Sequence, residues 1–201
     1  MLKPKTYHIA LGSNKGDKFK NLQLAVDMIY NRIGIVKLIS KVYKSPAFGF
    51  KGDDFFNACL VLESHLQPEN VLQQLLAIET DLGRTRKKGT GYEARTIDLD
   101  IVFAEAEIIS TKTLQVPHPE MEKRKFVLQP LNDIASKIKH PKFNKEVTVL
   151  LDECDDESVL EPINIWLKKP SKQYDFSKYN YIAIEGNIGA GKTSLATKIA
   201  Y

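Results

Sequence analysis

The sequence predicts an α+β fold in which two helices cover one face of an antiparallel sheet. Apolar residues alternate or run together in segments typical of strands, at 7–11, 35–45, 55–64 and 95–102. Apolar residues recur at helical spacing in two further segments, 18–34 and 68–83. The order along the chain is strand, helix, strand, strand, helix, strand, which is the ferredoxin-like βαββαβ arrangement. This arrangement leaves the second face of the sheet free for a ligand or for additional elements.

Each predicted helix has an apolar stripe and its own end signals. The first stripe consists of Leu22, Val26, Ile29 and Ile33. The second stripe consists of Val71, Leu75, Ile78 and Leu82. Gly34 ends the first helix, while Pro68 begins the second and Gly83 ends it. We expect a further helix near 121–136, interrupted at Pro130, among additional C-terminal elements.

The composition is that of an ordinary soluble protein. The chain has 201 residues, of which 43% are hydrophobic and 27% charged, and a net charge of +4. This mild charge permits an anionic ligand without requiring nucleic acid. Cys59 and Cys154 match no metal or redox spacing, so we expect reduced thiols. The start has no apolar signal-peptide core, and no apolar run approaches the ~18 residues of a membrane span, which predicts a cytoplasmic protein.

The composition changes after residue 150. Residues 151–162, LDECDDESVLEP, carry six acids and no bases, and 168–180 are polar and basic. We therefore predict a first domain at 1–155, a linker at 156–176 and a separate segment at 177–201.

Two aspartates lie inside the last predicted strand, RTIDLDIV. Asp98 and Asp100 are two residues apart, so both carboxylates point to one face while Ile97, Leu99 and Ile101 point to the other. Carboxylates on a rigid strand suit a hard divalent cation such as Mg²⁺, which works alongside substrate phosphates. A half-exposed strand whose aspartates simply face solvent fits the same pattern.

The segment before this strand favours the metal interpretation. Residues 83–95 contain three glycines and a basic cluster made of Arg84, Arg86, Lys87, Lys88 and Arg95. Guanidinium groups beside a cation site suit a polyphosphate, since arginine binds phosphate oxygens bidentately. His118, between two prolines, and Arg124 could add further phosphate contacts. A solvated basic loop and a structural histidine are the alternatives.

The loop at 45–58 is rich in phenylalanine. It contains Phe48, Phe50, Phe55 and Phe56. These rings either cover the sheet or form a slot for a flat heterocycle. In the second case the Asn57 amide, which both donates and accepts, would bind the ring edge.

Several long motifs in order resemble one family. ALGSNKGD, SPAFG…FFNA, IETDLGRTR, ARTIDLDIV and VPHPEMEKRKFVLQPL are similar to 6-hydroxymethyl-7,8-dihydropterin pyrophosphokinases of folate biosynthesis, over residues 6 to 150. The resemblance implies a ferredoxin-like fold, two Mg²⁺ ions and transfer of pyrophosphate from ATP to the pterin hydroxymethyl group, with release of AMP.

The resemblance also implies roles for individual residues. The implied metal ligands are Asp98 and Asp100, which with Arg84 and Arg95 form the implied catalytic set. The implied ATP contacts are Glu79, Arg84, Arg86, Arg95, Ile97, His118 and Arg124. The implied pterin contacts are Ser45, Pro46, Ala47, Phe48, Gly49, Phe55, Asn57 and Phe126. The implied partners are ATP and the pterin only, with no nucleic acid and no membrane, and we expect a monomer.

A second motif lies at the end of the chain. GNIGAGKT, residues 186–193, matches the phosphate-loop pattern after the strand-like YIAIE, and the wording resembles the opening of deoxynucleoside kinases. Gly186, Gly191, Lys192 and Thr193 carry that pattern. We expect a truncated two-enzyme fusion whose P-loop α/β fragment has no activity here, because one strand and one short helix cannot bury a core. A tail packed on the first domain is the alternative.

Two other functions are compatible with parts of the sequence. Nucleoside kinase activity would need core that a short C-terminal segment does not supply. An RNA-binding module shares the strand and helix order, but it needs aromatic residues on its central strands, and YHIALGSN and NACLVLES lack them at central positions.

Overall fold

The computed structural model describes residues 3–47, 49, 52–84 and 94–171. The elements in chain order are β1 Lys5–Ser13, α1 Lys18–Arg32, β2 Ile35–Ile39, β3 Tyr43–Ser45, β4 Phe55–Ser64, α2 Pro68–Asp81, β5 Asp98–Ala104, β6 Ile109–Ser110, β7 Gln115–Val116, α3 Lys125–Ala135, α4 Val147–Asp152 and β8 Glu161–Pro162. The chain divides into two compact units, Met1–Pro170 and Ser171–Tyr201, and all these elements belong to the first.

The main sheet is antiparallel and has six strands. The order is β5, β1, β4, β3, β8, and β2 also pairs with β4. The central strand β1 therefore places Gly12 opposite Asn57 of β4 on one side and opposite Asp98 of β5 on the other. This pairing brings three segments that are distant in sequence to one end of the sheet.

Helices α1 and α2 cover one face of the sheet. The α1 side chains Leu22, Val26 and Ile29 are fully buried in one core with Tyr7 and Ile9 of β1. Each such side chain stabilises the fold by roughly 1.5–3 kcal/mol. The second helix begins at Pro68 as predicted, and at the start of α1 the Asp17 side chain accepts a 3.0 Å hydrogen bond from the Lys20 amide.

Helices α3 and α4 cover part of the opposite face. Leu128 and Leu131 of α3 pack with Phe103 and Met121 in a second buried cluster. The predicted interruption at Pro130 is wrong, because α3 runs through it. Pro130 lies five residues after the helix begins and is buried, and it removes a single backbone hydrogen bond.

The predicted strand at 35–45 is two strands. Between β2 and β3, the Ser40 amide still donates to the Cys59 carbonyl at 2.9 Å, and the Ser40 hydroxyl accepts from the Cys59 amide at 2.9 Å. The Lys41 amide then turns toward the Asp133 carboxylate, 3.1 Å away on α3. The side chain of Ser40 thus replaces part of the strand ladder and divides the strand.

Residues 161–168, which we call the strap, lie within the predicted linker yet pack on the first unit. Strand β8 pairs with β3, and the Ile163 amide donates to the Val42 carbonyl at 2.9 Å. Leu167 is buried in the core on the α1 side, and the Gln23 side chain forms two hydrogen bonds with the Lys168 backbone. The domain boundaries beyond the strap stay a prediction.

The two cysteines are free, Cys59 buried and Cys154 partly buried, as predicted. Among the described residues, no helix has the length and apolar character needed to cross a membrane.

Candidate active site

A cleft of about 290 Å³ opens on the sheet face opposite to α1 and α2, next to the start of α3. Of the residues predicted to form a site, those that line it are Ser45, Pro46, Phe55, Asn57, Arg84, Arg95, Asp98, Asp100, His118, Arg124 and Phe126. They come from five separate stretches of the chain. The pairing of β1 with β4 and β5 brings them together.

Some predicted site residues lie elsewhere. Ile97 is fully buried in the core beneath β5. Ala47 and Gly49 are described but do not line the cleft. Phe48, Arg86 and the four phosphate-loop residues Gly186, Gly191, Lys192 and Thr193 lie outside the described residues.

The floor of the cleft is Gly12 of β1, which sequence reasoning did not identify as a site residue. A Cβ atom at this position would lie 3.3 Å from Asn57 Oδ1, 3.6 Å from a Phe55 ring carbon and 3.9 Å from the Asp98 Cβ. The end of the cleft lined by Phe55 and Phe126 is called the aromatic end, and the end lined by Asp98 and Asp100 the acidic end. The absence of a side chain at Gly12 keeps the cleft open between the two. A glycine inside an otherwise apolar strand is the signal that could have pointed to it.

The two aspartates have different surroundings despite sharing a strand face. Asp98 Oδ1 accepts a hydrogen bond from Arg84 Nη1, and Asp98 Oδ2 accepts one from Arg95 Nη1 at 2.7 Å. Asp100 keeps 44% of its side-chain surface exposed, and its nearer carboxylate oxygen is 4.0 Å from His118 Nε2. Leu99, between them, points into the core as the alternation predicts.

Glu79 lies behind the cleft rather than on its wall. Its side chain is buried, and Oε1 accepts hydrogen bonds from the Leu99 amide at 2.8 Å and from Arg84 Nη1. Glu79 therefore fixes the start of β5 and one side of the Arg84 guanidinium. Burial alone would lower the pKa of Arg84, but the carboxylates of Asp98 and Glu79 outweigh it and raise that pKa.

The charge balance of the acidic end suits a cation. Desolvation in the cleft, followed by the negative charges of Asp98 and Glu79, raises the pKa of Asp100 well above its usual value. A divalent cation would relieve this repulsion, and paired carboxylates are the oxygen donors that Mg²⁺ prefers. In the described part of the chain no group of three or more His, Cys, Asp or Glu forms a ready metal cage. Asp98 and Asp100 thus fit an ion that takes its other ligands from water or a bound phosphate.

His118 faces the acidic end from a rigid turn. The peptide bond between Val116 and Pro117 is cis, and the His118 amide donates to the Val102 carbonyl at 3.0 Å. Burial, and then the positive charge of Arg124, lower the pKa of His118, which is therefore neutral at pH 7. A neutral imidazole can donate one hydrogen bond into the cleft.

The other end of the cleft is aromatic and holds one buried amide. Asn57 Nδ2 donates to the Ser45 hydroxyl at 2.8 Å, and both side chains are buried. Phe55 and Phe126 line this end, and the Arg95 guanidinium lies 5.9 Å from the Phe55 ring centre. A flat heterocycle with polar edges fits such a slot.

A second cavity, of about 310 Å³, adjoins the acidic end. It shares Asp100 and His118 with the first cleft and extends under the β6–β7 hairpin, where it is lined by Leu72, Ile101 and residues 111–115. Sequence reasoning missed this cavity because two-residue strands leave no periodic signal. The two cavities meet at Asp100 and His118.

Asn14 joins two loops at the edge of the cleft. Its Oδ1 accepts from the Arg95 amide at 2.7 Å, its backbone amide donates to the Arg95 carbonyl at 3.1 Å, and its Nδ2 donates to the Asp53 carbonyl at 3.2 Å. The neighbouring Ser13 hydroxyl donates to the Thr96 carbonyl at 2.6 Å. These contacts explain why a polar SN pair follows the buried strand β1.

Residues 8–136 match the family model described as 7,8-dihydro-6-hydroxymethylpterin-pyrophosphokinase. The chain belongs to this family. It is 38% identical over 131 residues to the 2-amino-4-hydroxy-6-hydroxymethyldihydropteridine pyrophosphokinase of Porphyromonas gingivalis, which covers 64% of this chain and 89% of that one. It is 36% identical over 164 residues to the pyrophosphokinase of the same name from Aquifex aeolicus, which covers 81% of this chain and 98% of that one.

The fold is also that of solved structures. The crystal structure of Plasmodium falciparum HPPK-DHPS A437G with STZ-DHP superimposes with a TM-score of 0.63 at 14% identity. The match covers 75% of this chain and 45% of that one, so this chain spans less than half the length of that protein. At this identity the likeness concerns the fold alone. It supports the mixed α+β architecture with an antiparallel sheet.

Proposed function

We propose that this chain transfers the pyrophosphoryl group of ATP to 6-hydroxymethyl-7,8-dihydropterin, giving the pterin diphosphate and AMP, in folate biosynthesis. One observation carries the proposal: an aromatic cleft with a buried amide meets a second cavity at Asp100 and His118, and the cleft itself also contains Asp98, Arg84 and Arg95. A donor and an acceptor placed in the two cavities would bring their reacting atoms together there. Family membership supports the same reaction.

The aromatic end suits the pterin. Phe55 and Phe126 would contact the ring faces, and Asn57, held by Ser45, would hydrogen-bond the ring edge. In this pose the hydroxymethyl group points along the floor at Gly12 toward Asp98. The segment 45–49, including Pro46, Ala47, Phe48 and Gly49, would supply further contacts.

The second cavity suits the nucleoside end of ATP. Its walls combine apolar Leu72, Ile101 and Leu114 with the polar hairpin residues Thr111 and Thr113. From this cavity a triphosphate would cross Asp100 and His118 and reach Asp98. Arg84, Arg95 and Arg124 would bind its oxygens, and His118 would donate a hydrogen bond. Arg86 and Glu79 are proposed as further members of this network.

The metal ligands in this proposal are Asp98 and Asp100, with two magnesium ions. Such ions, when bound, neutralise phosphate charge and orient the triphosphate for displacement at the β-phosphorus. The protein then contributes position and charge: β5 fixes both carboxylates on a rigid element, and the arginines stabilise negative charge on the transferred group. The hydroxymethyl oxygen attacks the β-phosphorus and releases its proton to solvent, the bond from the β-phosphorus to the oxygen that bridges to the α-phosphate breaks, and AMP leaves with that oxygen.

The ferredoxin-like assignment, cytoplasmic location and monomeric state form part of the same proposal. The strand order β5, β1, β4, then β2 and β3, with α1 and α2 on one face, supports the ferredoxin-like assignment. For 177–201, the sequence GNIGAGKT alone supports a segment similar to the opening of deoxynucleoside kinases.

The test is AMP formation from ATP and Mg²⁺, with and without 6-hydroxymethyl-7,8-dihydropterin. Pterin-dependent AMP is the expected product. ADP formed with a deoxynucleoside, and no AMP with the pterin, would instead assign activity to the phosphate-loop segment. No product with either substrate would contradict the pyrophosphokinase assignment.

A further inference from the structure

We propose that Arg84 and Arg95 act as counter-ions that occupy both oxygens of Asp98 until a triphosphate takes them over, so that metal and nucleotide bind cooperatively. The proposal rests on the proposed function for the identity of the triphosphate. It concerns the state of the protein before substrates arrive, and it predicts metal binding that can be measured without turnover.

Both oxygens of Asp98 are already used. Arg84 Nη1 binds Oδ1, and Arg95 Nη1 binds Oδ2 at 2.7 Å. The two arginine side chains are 16% exposed and the aspartate side chain is 24% exposed, so water screens these ion pairs only in part. A metal that uses Asp98 must displace at least one guanidinium.

Asp100 differs from Asp98 in this respect. Its carboxylate is 4.0 Å from His118 Nε2 and, at 44% exposure, it is the more exposed of the two aspartates. The Asp100 carboxylate is therefore available to a cation, whereas arginines occupy both oxygens of Asp98. A cation that arrives alone finds one available carboxylate instead of two, and one carboxylate is a weak site for Mg²⁺.

The local charges explain the coupling with nucleotide. Arg84 and Arg95 bind Asp98, Arg124 lines the same cleft, and the carboxylates of Glu79, Asp98 and Asp100 face these three guanidinium groups. A metal alone would lie beside two displaced guanidinium groups, and a triphosphate alone would lie beside three carboxylates. When both bind, the guanidinium groups move to phosphate oxygens and the carboxylates bind the metal, so each ligand removes the repulsion that the other meets.

Arg84 is less free to move than Arg95. Glu79, which is only 2% exposed, holds Arg84 from behind through the same Nη1 atom that binds Asp98. Arg95 lies on the segment that leads into β5 and stacks near Phe55. We therefore expect Arg95, the residue next to the proposed pterin slot, to weaken metal binding at Asp98 more than Arg84 does.

The experiment measures Mn²⁺ binding to the full chain alone, from the loss of the free Mn²⁺ paramagnetic resonance signal. Arg95→Gln is expected to bind Mn²⁺ about tenfold more tightly than the wild type, and Arg84→Gln to show a smaller gain. Arg124→Gln is the matched control: it removes the same charge from the same cleft, but from a residue whose guanidinium pairs with Glu120 at 3.8 Å. Its gain is expected to be at most threefold.

A second pair of variants tests whether the gain in Mn²⁺ affinity depends on the Asp98 carboxylate. In the Asp98→Asn variant, the Arg95→Gln substitution is expected to give no gain in Mn²⁺ affinity. Equal gains in Arg95→Gln and Arg124→Gln, or a gain that persists in the Asp98→Asn background, would overturn the proposal in favour of a general charge effect. These measurements contain no substrate, so their failure is separate from failure of the AMP assay. Unfolding curves check that each variant is folded.

Discussion

At the residue scale, Asp98 and Asp100 lie at the same end of the cleft but have different partners. Asp98 is bound to two arginines, while Asp100 faces the junction of the two cavities beside His118. Neither arrangement follows from the aspartates alone, because a partner twenty residues away in sequence, Glu79, aligns both β5 and Arg84. The surroundings of the two carboxylates therefore depend on residues that are distant in sequence.

Removal of either carboxylate should abolish turnover while pterin binding weakens much less. Asp98→Ala or Asp100→Ala is expected to lower kcat by roughly a thousandfold, since a lost metal ligand costs several kcal/mol of transition-state stabilisation. Initial rates of AMP formation and a pterin binding titration measure the two effects. Asp81→Ala, which removes an exposed carboxylate paired with Arg32, is the control and should leave both unchanged. Normal turnover in either site variant would exclude the metal assignment.

A methyl group on the cleft floor should act on the pterin more than on ATP. In Gly12→Ala, the new Cβ lies 3.3 Å from Asn57 Oδ1 and displaces the amide that the pterin edge would meet. We expect the pterin Kd to rise roughly tenfold, about 1.4 kcal/mol, as for moderate overpacking. Separate titrations with the pterin and with a non-hydrolysable ATP analogue measure this. An equal loss for both ligands would indicate general distortion of β1 instead.

Residue-level prediction from the sequence has a definite limit at this site. The alternation in RTIDLDIV predicts that both carboxylates share a face, and the basic run before it predicts neighbouring arginines; the structure brings Arg84, Arg95, Asp98 and Asp100 into one cleft. Gly12 and Asn14 were not identified, since their importance depends on strand pairing and on contacts with residues about 40 to 80 positions away. Local pattern carries no information on such contacts.

At the element scale, the strap shows how part of a predicted linker can still belong to a fold. Residues 161–168 lie within the linker predicted at 156–176, yet β8 pairs with the edge strand β3. Lys44 of β3 lies 3.2 Å from Asp54 and 3.7 Å from Glu161, so charge favours the pairing. Because Ser45 on β3 holds Asn57, the strap covers the outer edge of the strand that supports the proposed pterin slot.

Two neighbouring residues of the strap should differ sharply in their effect on stability. Leu167 is buried in the α1-side core, whereas Trp166 is 61% exposed. Leu167→Ala is expected to lower the free energy of unfolding by roughly 2–3 kcal/mol, and Trp166→Ala by less than about 1 kcal/mol. Urea unfolding of the full chain measures both. Equal effects would mean that the strap does not dock as described.

At the scale of the whole molecule, the order of elements was predictable and their exact pairing was not. Helical and strand periodicities predict the alternation of α1 and α2 with the sheet, and all of these elements are present. The division of the strand at 35–45 depends on the Ser40 hydroxyl, which accepts from the Cys59 amide, and on Asp133 of α3, which accepts from the Lys41 amide. Tertiary contacts therefore determine where the outer strands begin and end, whereas sequence periodicity is sufficient to locate the central strands.

The second face of the sheet also buries a titratable side chain. His8 of β1 is 3% exposed, lies edge-on to Phe103 with ring centres 5.9 Å apart, and its Nδ1 has no hydrogen-bond partner in the described part of the chain. Burial lowers the pKa of His8 to about 4 from its usual 6.5. The folded protein therefore keeps this imidazole neutral at a pH where the unfolded chain binds a proton.

Stability should consequently fall as the medium becomes acidic. Between pH 6.5 and 4 the unfolded state binds the extra proton at His8, so this contribution is complete above pH 6.5 and is lost as pH decreases toward 4. From pH 7 to pH 5 the loss due to His8 is about 2 kcal/mol. Urea unfolding of the wild type and of His8→Gln, which does not titrate, isolates it, because the other groups cancel in the difference. The variant should lose about 2 kcal/mol less than the wild type over this interval, and identical losses would show that His8 is protonated in the folded protein.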